Sequence, residues 1–220
     1  PFECSGRREI QRNVMKRAVD VVAFDVATSA DKPSAAYIHL PFCKRRCHYC
    51  DFSIIATGDR NRDHWVENME RYVDTVCREI AATQVAQGGE PLSTIFFGGG
   101  TPSLVPPRLV RRILEALDRH LSISSSAEIS MEMDPGTFDA AQLQETLALG
   151  ITRVSLGVQS FDEEILRECG RSHTVDEARR AISLMHKHVP NWSLDLISSL
   201  PHQTAANWQQ TLEAAGGSAP

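Results

Sequence analysis

Residues 37–52 read YIHLPFCKRRCHYCDF. A β-branched and aromatic run ends at Pro41, and Cys43, Cys47 and Cys50 follow at once in the spacing C-x3-C-x2-C. A strand that delivers thiols at its end is the pattern of parallel βα architectures, where chemistry gathers at the carboxyl ends of strands. Three thiolates in one short loop form a metal site, and the number three is informative. Structural zinc closes its shell with four ligands. A four-iron cluster held by only three cysteines keeps one iron open for something else to bind. Two other readings stand beside this one. His48 could complete a Cys3His zinc site. A disulfide reading belongs to small secreted scaffolds rather than to a chain of 220 residues with six cysteines.

Outward from this stretch the sequence alternates between strand and helix patterns. Strands are expected at Ala36–Leu40, Ser93–Phe97, Ala127–Met133, Arg153–Val158 and Asn191–Ile197. Between them, apolar residues recur at helical period over 62–84 (Trp65, Met69, Tyr72, Val73, Val76, Ile80) and over 107–120 (Val110, Ile113, Leu114, Leu117). Further helices are expected at 140–149, 162–169, 175–188 and 205–215, with Gln87-Gly88-Gly89 and Gly150 as stops and Asp134-Pro135-Gly136 as a turn. Repeated βα units of this length predict a parallel sheet. Five units are visible, and the closing Gly216–Pro220 does not read as a strand.

Hydrophobic content of 42% and charged content of 23% are ordinary for one soluble globular domain. A formal charge of −5 argues against a nucleic-acid or anionic-membrane partner, and no apolar run has the length of a membrane span. Cys4, Cys77 and Cys169 are scattered and read as unpaired structural thiols. Residues 1–34 read as a leader or irregular segment, weakly helical over Val14–Val26, before a core at 35–215 and a tail at 216–220. The chain opens on Pro1, so a preceding piece is expected. Five basic residues (Arg7, Arg8, Arg12, Lys16, Arg17) against Glu3 and Glu9 in the first 17 suit an organelle transit remnant, for a mitochondrion or plastid; a solvated leader on a cytoplasmic protein explains them as well.

Special residues fall at the strand ends in order. The second strand runs into Gly98-Gly99-Gly100-Thr101-Pro102, where glycines let the backbone approach a ligand closely. The lysine of a phosphate-binding P-loop is absent from it, which removes a nucleotide-triphosphatase reading. Glu132 and Asp195 are lone acids in apolar strands, costly unless a partner such as a ribose hydroxyl or an ammonium is supplied. Gln159 closes the fourth strand and Arg171 follows 12 residues later. Singly, each of these four would serve as an ordinary salt bridge or surface group.

C-x3-C-x2-C after a strand resembles the signature of the radical S-adenosylmethionine (SAM) enzymes. The flanking HLPFC and CHYCDF resemble the branch that holds the oxygen-independent coproporphyrinogen III dehydrogenases (HemN) and the heme chaperones (HemW). The resemblance covers roughly residues 36–215 and implies a partial parallel (β/α) barrel of six units, about five of them present here. It implies a [4Fe-4S] cluster on Cys43, Cys47 and Cys50, with SAM chelating the open iron and cleaved by one electron to a 5′-deoxyadenosyl radical. It implies SAM contacts from Tyr37, Gly99, Gly100, Thr101, Glu132, Gln159, Arg171 and Asp195. Cys50 is followed by Asp51-Phe52 where the dehydrogenases continue C-G-C, so the wording is closer to the heme chaperones. Heme or a porphyrin, an electron donor and a heme-acceptor protein are the further partners implied. The dehydrogenase activity and a truncated cluster-binding module without activity are the alternatives. Ser198-Ser199 stands where that family commonly has a glycine before Leu-Pro, which puts the shape of that turn in question.

Overall fold

Apolar residues alternate with polar ones along Ala127–Met133 and Arg153–Val158, and the sheet uses that alternation to separate two faces. The computed structural model describes residues 33–58, 62–83 and 90–217. The expected leader up to residue 32, its helical stretch Val14–Val26, the stop at Gln87-Gly88-Gly89 and the tail from residue 218 lie outside the described residues. The elements are β1 (Ala35–Leu40), β2 (Phe42–Cys43), β3 (Ile55–Ala56), α1 (Arg62–Ala82), β4 (Leu92–Gly99), a 3-10 turn (Pro102–Leu104), α2 (Pro107–Leu121), β5 (Ile123–Met133), α3 (Ala140–Leu147), β6 (Arg153–Gln159), α4 (Glu163–Glu168), α5 (Val175–His188), β7 (Trp192–Leu196) and α6 (Ala205–Gly216).

The main sheet has five strands in the order β1-β4-β5-β6-β7, every neighbouring pair parallel. Each crossover steps one strand onward without reversing. That is the winding of a barrel, not of a doubly wound sheet with a switch point. The expected five-unit partial (β/α) barrel is thus the observed architecture.

One face carries Ile38, Leu40, Ile95, Phe97, Ile129, Met131, Met133, Val154, Leu156 and Val158, all buried in a single apolar core. Helices complete that core with Met69 and Val73 of α1, Leu109, Ile113 and Leu117 of α2, Leu143 of α3 and Met185 of α5. A fully buried side chain of this kind contributes about 1.5–3 kcal/mol over exposure, so the helix-covered face supplies most of the driving force. Pro107 opens α2, and capping boxes at Thr174/Glu177 and Thr204/Asn207 start α5 and α6.

The opposite face is mostly polar. Register aligns Tyr37, Phe96, Ser130 and Arg153 in one row, Glu132, Ser155 and Ser193 in the next, and Gly157 with Asp195 above them. Period-2 alternation puts all of these on the concave side, away from the helices.

Three features depart from the sequence expectation. β5 begins at Ile123, four residues early, because Ile123 pairs with Leu92 ahead of a register shift, after which pairing resumes at Glu128 opposite Thr94. β2 and β3 form a parallel pair of two residues each, too short to leave a periodic signal. α6 runs through Gly216, so the tail starts later than expected. The Ser198-Ser199 turn keeps a left-handed backbone without glycine, with Ser199 at φ 62°. Among the described residues, no helix is long and apolar enough to cross a membrane.

Candidate functional site

The cysteine loop is held before it holds anything. The β2–β3 pair brackets residues 44–54, and Ile55 N–H donates to Pro41 O (2.7 Å), Thr57 N–H to Cys43 O (2.7 Å) and Gly58 N–H to Lys44 O (2.8 Å). The glycine turn closes against the same segment: Gly100 N–H donates to Leu40 O (2.9 Å) and Thr101 N–H to Phe42 O (2.7 Å). A Cβ on Gly100 would lie 2.7–2.9 Å from the backbone of Pro41, Phe42 and Leu40, so only glycine permits this approach. Gly99 adopts φ 109°, and a Cβ there would lie 2.5 Å from the His39 ring. Its N–H is thereby turned toward Glu132 Oε2, to which it donates at 3.2 Å.

One cavity at the carboxyl ends of the strands is lined by Cys43, Cys47 and Cys50 together with Gly99, Gly100, Thr101, Glu132, Gln159, Arg171 and Asp195. Every expected site residue but one therefore meets in a single place. Tyr37 does not line it. It stands 49% exposed on the concave face of β1, stacked on Phe96, with its ring and the Glu132 carboxylate on either side of Gly98. Its hydroxyl donates to His39 Nδ1 (3.3 Å), while His39 Nε2 donates to Ser53 O (3.0 Å) in the cysteine loop.

The three thiols differ in surroundings. Burial pushes Cys43 up to about 11, against the hydrogen bond from Thr101 Oγ1 at 3.5 Å, so in the metal-free protein it is a neutral thiol. Metal binding at such a cysteine releases its proton. Cys47 accepts from Arg171 Nη1 at 3.5 Å. All five cysteines among the described residues are free thiols; Cys169 is buried and Cys77 half-buried.

Arg171 ties the loop to the barrel rim. Its Nη1 also donates to Tyr49 Oη (3.3 Å), and its Nη2 donates to Gly157 O (2.9 Å) and pairs with the Asp134 carboxylate. His173 Nε2 faces only the Val158 carbonyl (3.2 Å) and so carries its proton there, leaving Nδ1 to accept from Arg171 (3.4 Å). Burial works against the guanidinium charge; Asp134, Tyr49 and Cys47 outweigh it and hold Arg171 above the ordinary arginine range. Its Nε is buried without a partner in the protein.

His48 is engaged elsewhere. Its N–H donates to Cys169 O (2.9 Å), its Nδ1 donates to Glu168 O (2.7 Å), and its Nε2 lies against Gly170. With Nδ1 on Glu168 O and Nε2 at Gly170, the ring fastens the cysteine loop to the end of α4, which counts against the fourth ligand that the zinc reading required. Among the described residues no three His, Cys, Asp or Glu side chains converge on one point, as a single metal ion asks; a cluster asks for one thiolate on each of three irons.

Gln159 reaches the cavity through irregular backbone. A register shift between Gly157 and Gln159 marks a bulge, and Gln159 itself sits at φ 66°. Glu132 is raised above the usual carboxylate range by burial, with the Gly99 N–H opposing and the Asp195 charge adding. Sequence reasoning missed Asp134, Ser155, Tyr49 and His173. Asp134 was legible only as part of a turn, whereas Ser155 carried a usable signal, its place at period 2 from Gly157 on the polar face.

The donor set fits an iron–sulfur cluster with a small zwitterionic ligand. Three reduced thiols from one loop, glycines that leave room at the strand end, two acceptor-only carboxylates and an arginine with an unsatisfied buried N–H face the same space.

Comparison with known proteins gives the same family as the cysteine-loop resemblance. The family model described as "Radical SAM superfamily" matches residues 37–215. The heme chaperone HemW of Synechocystis sp. is 52% identical over 193 residues, covering 86% of this chain and 45% of its own. The oxygen-independent coproporphyrinogen III oxidase of Pseudomonas aeruginosa is 32% identical over 191 residues, covering 84% and 40%. The solved structure of Escherichia coli coproporphyrinogen III oxidase (HemN), a radical SAM enzyme, superposes with a TM-score of 0.77 at 26% identity, covering 93% of this chain and 45% of that one. The chain spans less than half the length of these relatives.

Proposed function

This chain belongs to the radical SAM superfamily, and from that premise we propose that it is the cluster- and SAM-binding part of a heme chaperone of the HemW kind. The observation that carries the reading is the single cavity in which Cys43, Cys47 and Cys50 face Gly99–Thr101, Glu132, Gln159, Arg171 and Asp195. Cys43, Cys47 and Cys50 would each hold one iron of a [4Fe-4S] cluster. Gly99, Gly100 and Thr101 would lie along the methionine part of SAM, and Arg171 would meet its carboxylate with the buried Nε that finds no partner in the protein. Glu132 and Asp195 would accept from its ammonium and ribose hydroxyls, and Gln159 would hydrogen-bond to its far end. When bound, the cluster and SAM together supply one-electron reductive chemistry at a sulfonium. The residues named here bind and orient the ligand and shield it from water, and none of them is assigned a proton transfer.

The chaperone half of the proposal rests on the 52% identity to a heme chaperone and on Asp51-Phe52 after the last cysteine. The likeness to a coproporphyrinogen III oxidase structure supports a second reading, oxidative decarboxylation of porphyrinogen propionates. An anaerobic optical titration of the cluster-loaded protein with heme, run beside an assay of coproporphyrinogen III turnover, separates them. Saturable heme binding without decarboxylated product is expected. Turnover would move the reading to the dehydrogenase. Neither, with an intact cluster, would leave a cofactor-binding module.

A further inference from the structure

The concave face holds a polar chain that ends on Asp195 and runs through three residues the proposed ligand contacts leave unused. β6 and β7 pair in parallel with Ser155 opposite Ser193 and Gly157 opposite Asp195, so Arg153, Ser155, Ser193 and Asp195 all stand on one face. Arg153 Nη2 donates to Ser193 Oγ at 3.0 Å. The two serine hydroxyls are 2.9 Å apart. Ser155 Oγ lies 2.9 and 2.8 Å from the two carboxylate oxygens of Asp195.

Donor counting gives this chain a direction. Arginine can only donate and a carboxylate can only accept. Ser155 has one proton, and both oxygens of Asp195 claim it. The short contact between the serines must therefore use the proton of Ser193. The order is fixed as Arg153 to Ser193 to Ser155 to Asp195, with every hydroxyl donating toward the cavity. Asp195 and Ser155 line that cavity; Ser193 and Arg153 do not, and act from beneath it.

We propose that Ser155 and Ser193, polarised by Arg153, are positioning residues that hold the Asp195 carboxylate in place for the hydroxyl and ammonium donors of SAM; this rests on the SAM site proposed above. A carboxylate straddling one hydroxyl at its base cannot swing, and its outer lone pairs face the ligand. Glu132, across the same cavity, is held in the same manner by the Gly99 N–H. The two acids are thus each fixed by one donor before ligand arrives, which lowers the ordering cost of binding.

The test is SAM binding by anaerobic equilibrium dialysis on cluster-loaded full chain, with iron content and melting temperature measured on each variant. Ser155→Ala should weaken SAM binding by about tenfold, the value of one hydrogen bond to a charged group, with iron content unchanged. Ser193→Ala, which leaves the Ser155 bond in place, should give a smaller loss, about threefold by the same scale. Ser155→Thr should restore binding, because it keeps the hydroxyl. In an Asp195→Asn background, adding Ser155→Ala should cost nothing further. Wild-type affinity in Ser155→Ala, or additive losses in the double variant, overturns the relay while leaving the SAM site standing. Cluster-loaded wild type that takes up no SAM overturns the site itself, and the relay with it. If Ser155→Ala does not fold, Ser193→Ala and Ser155→Thr decide: equal affinity for Ser193→Ala and wild type is the contrary result.

Discussion

Replacing Arg171 by methionine should destabilise the metal-free protein by about 3–5 kcal/mol. The side chains of Arg171 and Asp134 are only 9% and 14% exposed, so water does little to screen the pair. Methionine keeps the apolar stem and removes the donors to Cys47, Tyr49, Gly157, His173 and Asp134. The largest loss is the Asp134 carboxylate left without a cation, not the sum of the bonds. His173 Nδ1, 3.8 Å from that carboxylate, is too far to replace the lost hydrogen bond. At about 2–4 °C per kcal/mol for a domain of this size, the melting temperature should fall by roughly 6–20 °C. Urea unfolding followed by circular dichroism measures the free-energy loss, and a thermal scan the melting temperature. The pair Asp134→Asn with Arg171→Met should recover much of the loss, because no charge is then stranded. Arg171→Met within about 1 kcal/mol of wild type, or a double variant no better than the single, would refute the reasoning.

Glu132 supplies a pH prediction. Burial raises its folded-state value above the ordinary one, so the folded chain holds the proton more tightly than the unfolded chain does. Its stabilising contribution is complete below the ordinary value of 4.5 and is lost as pH rises through the raised folded value. Unfolding of the metal-free protein from pH 4 to 7 should therefore show Glu132→Gln gaining on wild type as pH rises, and a flat difference would remove the claim. Gly99→Ala should cost more than Gly150→Ala: both sit at positive φ, but a Cβ at Gly150 meets nothing within 4 Å whereas one at Gly99 meets the His39 ring. The shared backbone strain is about 1–3 kcal/mol, and equal melting temperatures would contradict the His39 contact. His48→Ala should lower stability by about 1 kcal/mol while leaving reconstituted iron at the wild-type level. Iron falling as far as in a cysteine variant would make His48 a ligand.

The five-strand frame was legible because each core strand is buried on one face and had to alternate, as Ile38/Leu40 and Val154/Leu156/Val158 do. The same alternation marked Glu132 and Asp195 as acids with no business on an apolar strand. The cysteine spacing is local and needed no folding to be read. What stayed hidden was set by pairing across the chain. β2 and β3 exist only because Phe42 finds Ile55 after the loop turns back. The positive φ of Gln159 comes from a bulge that the β6–β7 register imposes. Asp134 reads as a turn residue until Arg171, 37 positions on, is brought beside it. The role of His48 was misleading in sequence for the same reason, since its partners lie at 168–170.

The most direct test of the account is iron and acid-labile sulfide, counted after anaerobic reconstitution of the wild-type chain and of a variant with Cys43, Cys47 and Cys50 all replaced by alanine. About four of each per wild-type chain are expected, and neither in the variant. Full iron and sulfide in the variant, or a wild-type chain that takes up one zinc and no sulfide, would contradict it.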